Sequence, residues 1–175
     1  MSAMGGTNDH LRGLVEWRKL ILEKMKEGLK PLGFRMHNVN FVKFDGERWV
    51  VVNLQSSSFN QEGFLRVFLN VGIHYGRTSQ QITGASEWPK EFECHWRGRA
   101  RPEKGHWDIE SHADALRAAE EIADWSVFLS RRAIEAFPTP ASLLAAPQTP
   151  GGTSDPIGWI QYRDQLESLA HTQGT

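Results

Sequence analysis

From Leu11 to Leu29 apolar residues return every three or four positions, at Leu11, Leu14, Val15, Ile21, Leu22, Met25 and Leu29, with Arg18 interrupting the stripe. That period predicts an amphipathic helix. Asn8 or Asp9 stands where an N-cap belongs, which leaves residues 1–8 as a small, polar leader expected to be disordered. Pro31 and Gly33 stop the helix and turn the chain. Beyond Gly33 the period shortens to two. "FRMHNVNFVKF", "RWVVVNLQ" and "FLRVFLNVGIHY" read as three strands, the first two joined through Asp45-Gly46, a strong hairpin signal. Connections this short rule out parallel crossovers and predict an antiparallel meander.

A polar loop over residues 76–90 follows, then "EFECHWRGR" as a fourth strand and "HWDIE" as a short fifth. Helical spacing returns between His112 and Phe137, with Ala115, Leu116, Ala119, Ile122, Ala123, Val127, Leu129 and Ile134 on the apolar side. Ser111 is its expected cap, with Asp114 three residues on in a capping-box position. Residues 138–156, rich in Pro and Gly, read as a linker or surface strap, and 157–175 as a short C-terminal helix and tail. Together these elements predict a single α+β domain over 9–137. Its antiparallel meander sheet has about four to six strands, with two main helices packed on one face.

Alternation sorts each strand into two faces. Leu65, Val67, Leu69, Val71, Ile73 and Tyr75 form one row, with Val50, Val52 and Leu54 alongside, and should lie under the helices. The opposite row reads Phe64, Arg66, Phe68, Asn70, Gly72 and His74, beside Trp49, Val51, Asn53 and Gln55. In the fourth strand Phe92, Cys94 and Trp96 oppose Glu93, His95, Arg97 and Arg99, while the first strand mixes polar and apolar residues in both rows. The second face is the main functional candidate, through Trp49, Asn53, Gln55, Arg66, Phe68, Asn70, His74, His95 and Arg97. Aromatics supply contact area there and polar groups supply direction. The plainer alternative is an antiparallel sheet with one wet face.

Composition narrows the classes. At 175 residues, 39% hydrophobic and 23% charged, the chain has the make-up of a globular protein. Its formal charge of −1 makes nucleic acid an improbable partner and provides no attraction to an anionic membrane. The single cysteine, Cys94, excludes an intrachain disulfide and a multi-cysteine zinc site, so a cytoplasmic setting is expected. No apolar run approaches the roughly 18–20 residues that span a bilayer, and the opening "MSAMGGTNDH" lacks the order of a secretion signal. Seven tryptophans exceed the needs of one small core, and any left exposed would mark a partner surface.

Reactive chemistry is harder to place. Cys94 and His95 are neighbours on a predicted strand and would point to opposite faces, so they do not make a nucleophile–base pair. His74, His95 and His106 with Glu93 could meet, but their spacing follows no metal-site pattern, and neither metal nor cofactor is expected. Arg97, Arg99 and Arg101 form a basic cluster fit for an anion, offset by Glu91, Glu93, Glu103 and Asp108. Phosphate-loop, catalytic-triad and nucleophile-elbow patterns are absent. The expectation is a non-catalytic binding module that recognises a protein partner through the sheet face or its loop rim, of an accessory or immunity type. The alternative is a small-ligand or anion-binding protein, or an enzyme, using the same polar residues. Neither reading assigns an oligomeric state.

Several motifs taken together resemble a bacterial family catalogued as domain of unknown function 4304. They are Pro31-Leu32-Gly33-Phe34, Val52-Asn53-Leu54-Gln55 with Ser57, Asn70 with Gly72, and Cys94-His95-Trp96-Arg97. The similarity runs over roughly residues 11–135. Serine replaces the family's lysine at Ser56, and Gly98-Arg99-Ala100-Arg101 stands where an Arg-Ile-Gly turn is usual. His106-Trp107 likewise occupies the place of a common Trp-Trp pair. The resemblance implies the fold and its limits and carries no activity with it.

Overall fold

In a computed structural model, residues 6–61, 63–76, 84, 87–146, 157–160 and 162–173 are described, with the backbone alone for 6–12, 157–159 and 173. The first helix, α1 (Gly6–Leu29), begins before Asn8 and Asp9, so neither is its cap; residues 1–5 of the expected leader lie outside the described residues. Its inward stripe is Leu14, Trp17, Ile21, Met25 and Leu29. Val15 is 67% exposed, so the buried line is rotated toward Trp17 relative to the sequence reading. A 3-10 turn, Lys30–Leu32, then delivers the chain to the sheet.

The first strand-like run is two strands, β1 (Arg35–His37) and β2 (Asn40–Phe44), folded on each other through Asn38 and Val39. Asn38 takes φ +56°, a left-handed conformation that asparagine tolerates better than most residues. This split explains the mixed faces of that run, since the pleat restarts at the turn. The expected Asp45-Gly46 hairpin joins β2 to β3 (Arg48–Ser56), and β3 pairs with β4 (Leu65–Tyr75). The run from Glu91 is a 3-10 turn, Glu91–Glu93, before the short strand β5 (Trp96–Arg99). Next comes β6 (Trp107–Ile109). Both lie along the same edge of β4, β5 beside Asn70–Ile73 and β6 beside Leu65–Val67, as one interrupted antiparallel neighbour.

Helix α2 (His112–Ala136) follows, and the Ser111 hydroxyl accepts the Asp114 backbone N–H at 3.1 Å, the predicted cap. Leu116, expected inside, is 48% exposed. The buried line runs instead through Ala115, Ala119, Ile122, Ser126, Leu129, Ser130 and Ala133. Ser126 and Ser130 satisfy their hydroxyls on the carbonyls of Ala123 and Val127, so they stay small without leaving a polar atom orphaned. Where α1 crosses α2, a Cβ on Gly28 would meet Val127 Cγ2 at 3.0 Å, so the close approach uses the missing side chain.

The predicted linker contains a helical turn, α3 (Pro140–Leu144), while residues 147–156 lie outside the described residues. Thr139 and Ser142 form a reciprocal capping box and Pro140 opens the helix, a position where proline starts rather than breaks one. The last segment opens with a strand, β7 (Ile157–Ile160), paired on the outer edge of β5, before α4 (Arg163–Gln173). A free edge on β5 takes up backbone bonds that a helix there would have left unmade.

The architecture is α+β: an antiparallel sheet in the order β1-β2-β3-β4-β5-β7, with β6 also on β4, and the main helices on one face. Ile21, Met25, Leu29, Ile122 and Leu129 share one core with Val50, Val52, Leu69, Val71 and Ile73. Full burial of each such side chain contributes about 1.5–3 kcal/mol. Leu143 of α3 and Leu166 of α4 join the same core at 0% exposure, which ties the C-terminal elements down. No helix among the described residues is long and apolar enough to cross a membrane.

Candidate functional site

The second face of the sheet divides into a covered half and an open half. After β4 the chain comes back across that face, and segment 87–95 lies on it. A Cβ on Gly72 would stand 2.5 Å from the Cys94 Sγ and 2.8 Å from its Cβ, so the absence of a side chain lets the segment sit flat on β4. Cys94 is fully buried with Val42 and Val51, and Trp49 and Trp88 pack around them. Trp88 stacks on His37 with ring centroids 3.8 Å apart, and Phe44 leans on Trp49 at 4.9 Å. Burial pushes the Cys94 thiol well above its ordinary value, with Glu91 adding to it. A thiol so placed does not ionise readily and is a poor nucleophile.

At the edge of this covered half His74 and His95 stack, 4% and 1% exposed. His74 Nδ1 lies 3.1 Å from the Glu93 carbonyl and so carries the proton it donates. His95 Nδ1 accepts the Tyr75 backbone N–H at 3.1 Å, which puts its own proton on Nε2. Burial pushes His74 down to about 3, with His95 contributing, and burial pushes His95 down to about 4. His106 stands elsewhere, 3.3 Å from Asp108, so the three histidines do not converge. Among the described residues no group of three His, Cys, Asp or Glu side chains is placed to hold a metal ion.

The open half carries a line of amides. Strand register sets Asn40 opposite Asn53, Asn53 opposite Asn70, and Asn70 opposite Arg99, across β2, β3, β4 and β5. Arg99 Nε donates to Asn70 Oδ1 at 2.8 Å and its Nη2 to Gln55 Oε1 at 3.0 Å. Because a guanidinium only donates, Asn70 must present its oxygen to Arg99 and its nitrogen to the next strand. Asn70 Nδ2 accordingly reaches Gln55 Oε1 at 3.0 Å and Asn53 Oδ1 at 3.4 Å, and Asn53 Nδ2 donates to Asn40 Oδ1 at 2.8 Å. The donors all point away from Arg99, and bonds in series polarise one another.

Two further arginines on this face are paired with carboxylates. Arg66 forks onto Asp108 at 2.6 and 3.0 Å, and Arg97 onto Glu91 at 2.8 and 2.9 Å. Arg99 also lies over the Phe68 ring, 4.6 Å from its centroid, and Phe68 meets His106 edge-on at 5.9 Å. Arg101 is exposed in the loop between β5 and β6. Of the residues expected from sequence, Asn53, Gln55, Asn70, Phe68, Arg66 and Arg99 therefore share the open half. Trp49, His74 and His95 belong to the covered half, and Arg97 is held by Glu91. Six tryptophan side chains, Trp17, Trp49, Trp88, Trp96, Trp107 and Trp125, are buried or half-buried. An exposed aromatic close to the strip in sequence is Phe59, 83% exposed in the loop after β3.

Sequence reasoning missed Asn40, and it named Asp108 and Glu91 only as acids offsetting the basic cluster and His106 only as a metal candidate, without the pairings seen here. Asn40 was legible in principle, because recognising the Asn38 turn restarts the pleat and puts Asn40 on the face of Asn53. The Glu91 pairing was not legible, since it depends on the segment folding back over the sheet. A separate open cleft of about 410 Å³ lies between the end of β4 and α4, lined by Tyr75, Gly76, His95, Asp164, Gln165, Ser168 and Leu169. It shares no residue with the amide line.

The profile of one protein family, described as Domain of unknown function (DUF4304), matches residues 25–124. No curated protein and no solved structure matches the chain.

Proposed function

Since the chain belongs to the DUF4304 family, whose description assigns no activity, we propose from its geometry a non-catalytic module that holds a protein partner across the open amide strip. The observation that carries this reading is the Asn40–Asn53–Asn70–Arg99 line across the sheet, with Gln55 exposed beside it, Asn40, Asn53 and Arg99 half-buried, and Asn70 its buried link at 2% exposure. Directional donors and acceptors on a flat surface suit a large partner, whereas a small ligand is held in a concave site that buries most of it. The groups best suited to acid–base or nucleophilic work, His74, His95 and Cys94, are packed into the other half. Phe59, a few residues past Gln55, supplies an aromatic at the rim where such a partner would lie. A bacterial, cytoplasmic accessory or immunity-type protein is the setting this reading fits.

Affinity capture from a bacterial lysate tests it. The wild type is compared with Asn53→Ala/Gln55→Ala and with Arg117→Ala, an exposed α2 residue on the far layer. A partner retained by the wild type and Arg117→Ala and lost by the double variant, with thermal midpoints preserved, is the expected result. Equal retention by all three proteins would remove the strip from consideration.

A further inference from the structure

Of the three arginines that β4 and β5 turn onto the second face, two have a carboxylate fork. Arg66 has Asp108 and Arg97 has Glu91, while Arg99 has only the two amide oxygens of Asn70 and Gln55. Those amides occupy one edge of its guanidinium, the edge made by Nε and Nη2. The flat side rests on Phe68. The other edge, Nη1 with the second Nη2 proton, makes no hydrogen bond among the described residues. Arg99 is half-buried and burial lowers its pKa, so the charge is partly stripped of water without an anion to replace it. Glu91 is near enough to favour the charge but is bound in both oxygens by Arg97.

We propose that the free edge of Arg99 receives the side-chain carboxylate of an aspartate or glutamate on the protein partner, deepening the strip reading on which it rests. A guanidinium edge matches a carboxylate in a two-bond fork. This fork comes already oriented, because Asn70 and Gln55 hold Arg99 along one edge and Phe68 supports its flat face. Little side-chain freedom is left to lose on binding. The amide line extends the same polarity away from Arg99: each amide donates toward β2, so Asn40 ends the series with its own NH2 group beyond the oxygen that Asn53 uses. The partner segment would set its acidic residue on Arg99 and backbone carbonyls along the amides. Arg66 cannot substitute, since Asp108 already fills its fork.

The test uses the full chain and short probes followed by NMR of the Arg99 Nε–H and the Asn40, Asn53 and Asn70 side-chain amides. Acetylated, amidated alanine peptides carrying one central glutamate are compared with the matching glutamine peptide, with an alanine peptide ending in a free carboxylate, and with inorganic phosphate. The glutamate peptide should shift Arg99 and the amide line together. Its affinity should fall as salt rises and drop at least about tenfold in Arg99→Gln, the loss of a charged fork. Arg117→Gln should bind as the wild type does. The proposal is overturned if the glutamine peptide shifts the same signals equally. It is also overturned if the free carboxylate terminus or phosphate binds as tightly as the glutamate peptide, or if no probe moves Arg99 up to tens of millimolar. Capture of the partner separates the two readings. A partner kept by Arg99→Gln but lost by Asn53→Ala/Gln55→Ala leaves the strip standing and ends the carboxylate assignment.

Discussion

His74 and His95 stack with ring centroids 4.3 Å apart and planes 16° from parallel, although one comes from β4 and the other from the segment that folds back over it. Each ring is fixed by one hydrogen bond to backbone, and among the described residues neither Nε2 has a hydrogen-bond partner. Burial is the larger influence on His95 and disfavours its charge, while Gln165 of α4 favours the charged form. The pair is stable only while both rings are neutral.

Stability should therefore fall with acid well before any carboxylate titrates. Unfolded histidines take up protons near 6.5, whereas the folded pair holds out to about 3 and about 4. The unfolded state thus binds more protons across that window, and each histidine withdraws about 1.4 kcal/mol per pH unit as pH drops below 6.5. Above pH 7 neither adds a slope. Urea unfolding at pH 7.5, 6 and 5 should give falling midpoints at constant m, and a flat midpoint would contradict the buried neutral pair.

Replacing one ring isolates the cause. His74→Phe keeps the stack but loses the bond to the Glu93 carbonyl, which costs about 1 kcal/mol at pH 7.5. With one titrating group removed, the acid slope should fall by about half, so the difference from wild type narrows toward pH 5. An unchanged slope would place the titration elsewhere.

Gly72→Ala drives a methyl into Cys94, and the fold must give way there because both atoms it meets lie on a packed segment. Overpacking of this kind costs about 1–3 kcal/mol. Cys94 is the sole cysteine and 0% exposed, so its reaction with a thiol reagent reports how firmly segment 87–95 is seated. The variant should react faster than wild type under native conditions, and equal rates would show that the segment accommodates the methyl without lifting.

Tyr75 ties the sheet to the end of α2. Its hydroxyl is 2.7 Å from the Phe137 carbonyl and 2.9 Å from that of Thr139, and Arg48 also donates to Phe137. Tyr75→Phe should lower stability by about 1–2 kcal/mol, the loss of a buried bond with its acceptors left in place. Hydrogen exchange should rise first in α3, which follows directly from Phe137. Exchange that rises evenly across the domain would argue against a local anchor.

The sequence by itself determined the two long helices, the hairpin at Asp45-Gly46, the core rows of β3 and β4 and the family motifs. Each follows from short-range chemistry: apolar period, a cap, a turn pair. Asn53, Gln55 and Asn70 were likewise placed on the right face by counting alternate residues along uninterrupted strands. What only the tertiary structure decided is which part of that face stays open. Alternation was extrapolated through Glu91–Cys94, where the chain makes a 3-10 turn and Cys94 drops onto Gly72 instead of following the pleat. The same folding back buried His74 against His95 and gave Glu91 to Arg97 while leaving Arg99 without a carboxylate. None of those outcomes has a local signal, because each depends on a contact between residues far apart in the chain, and such contacts form through packing.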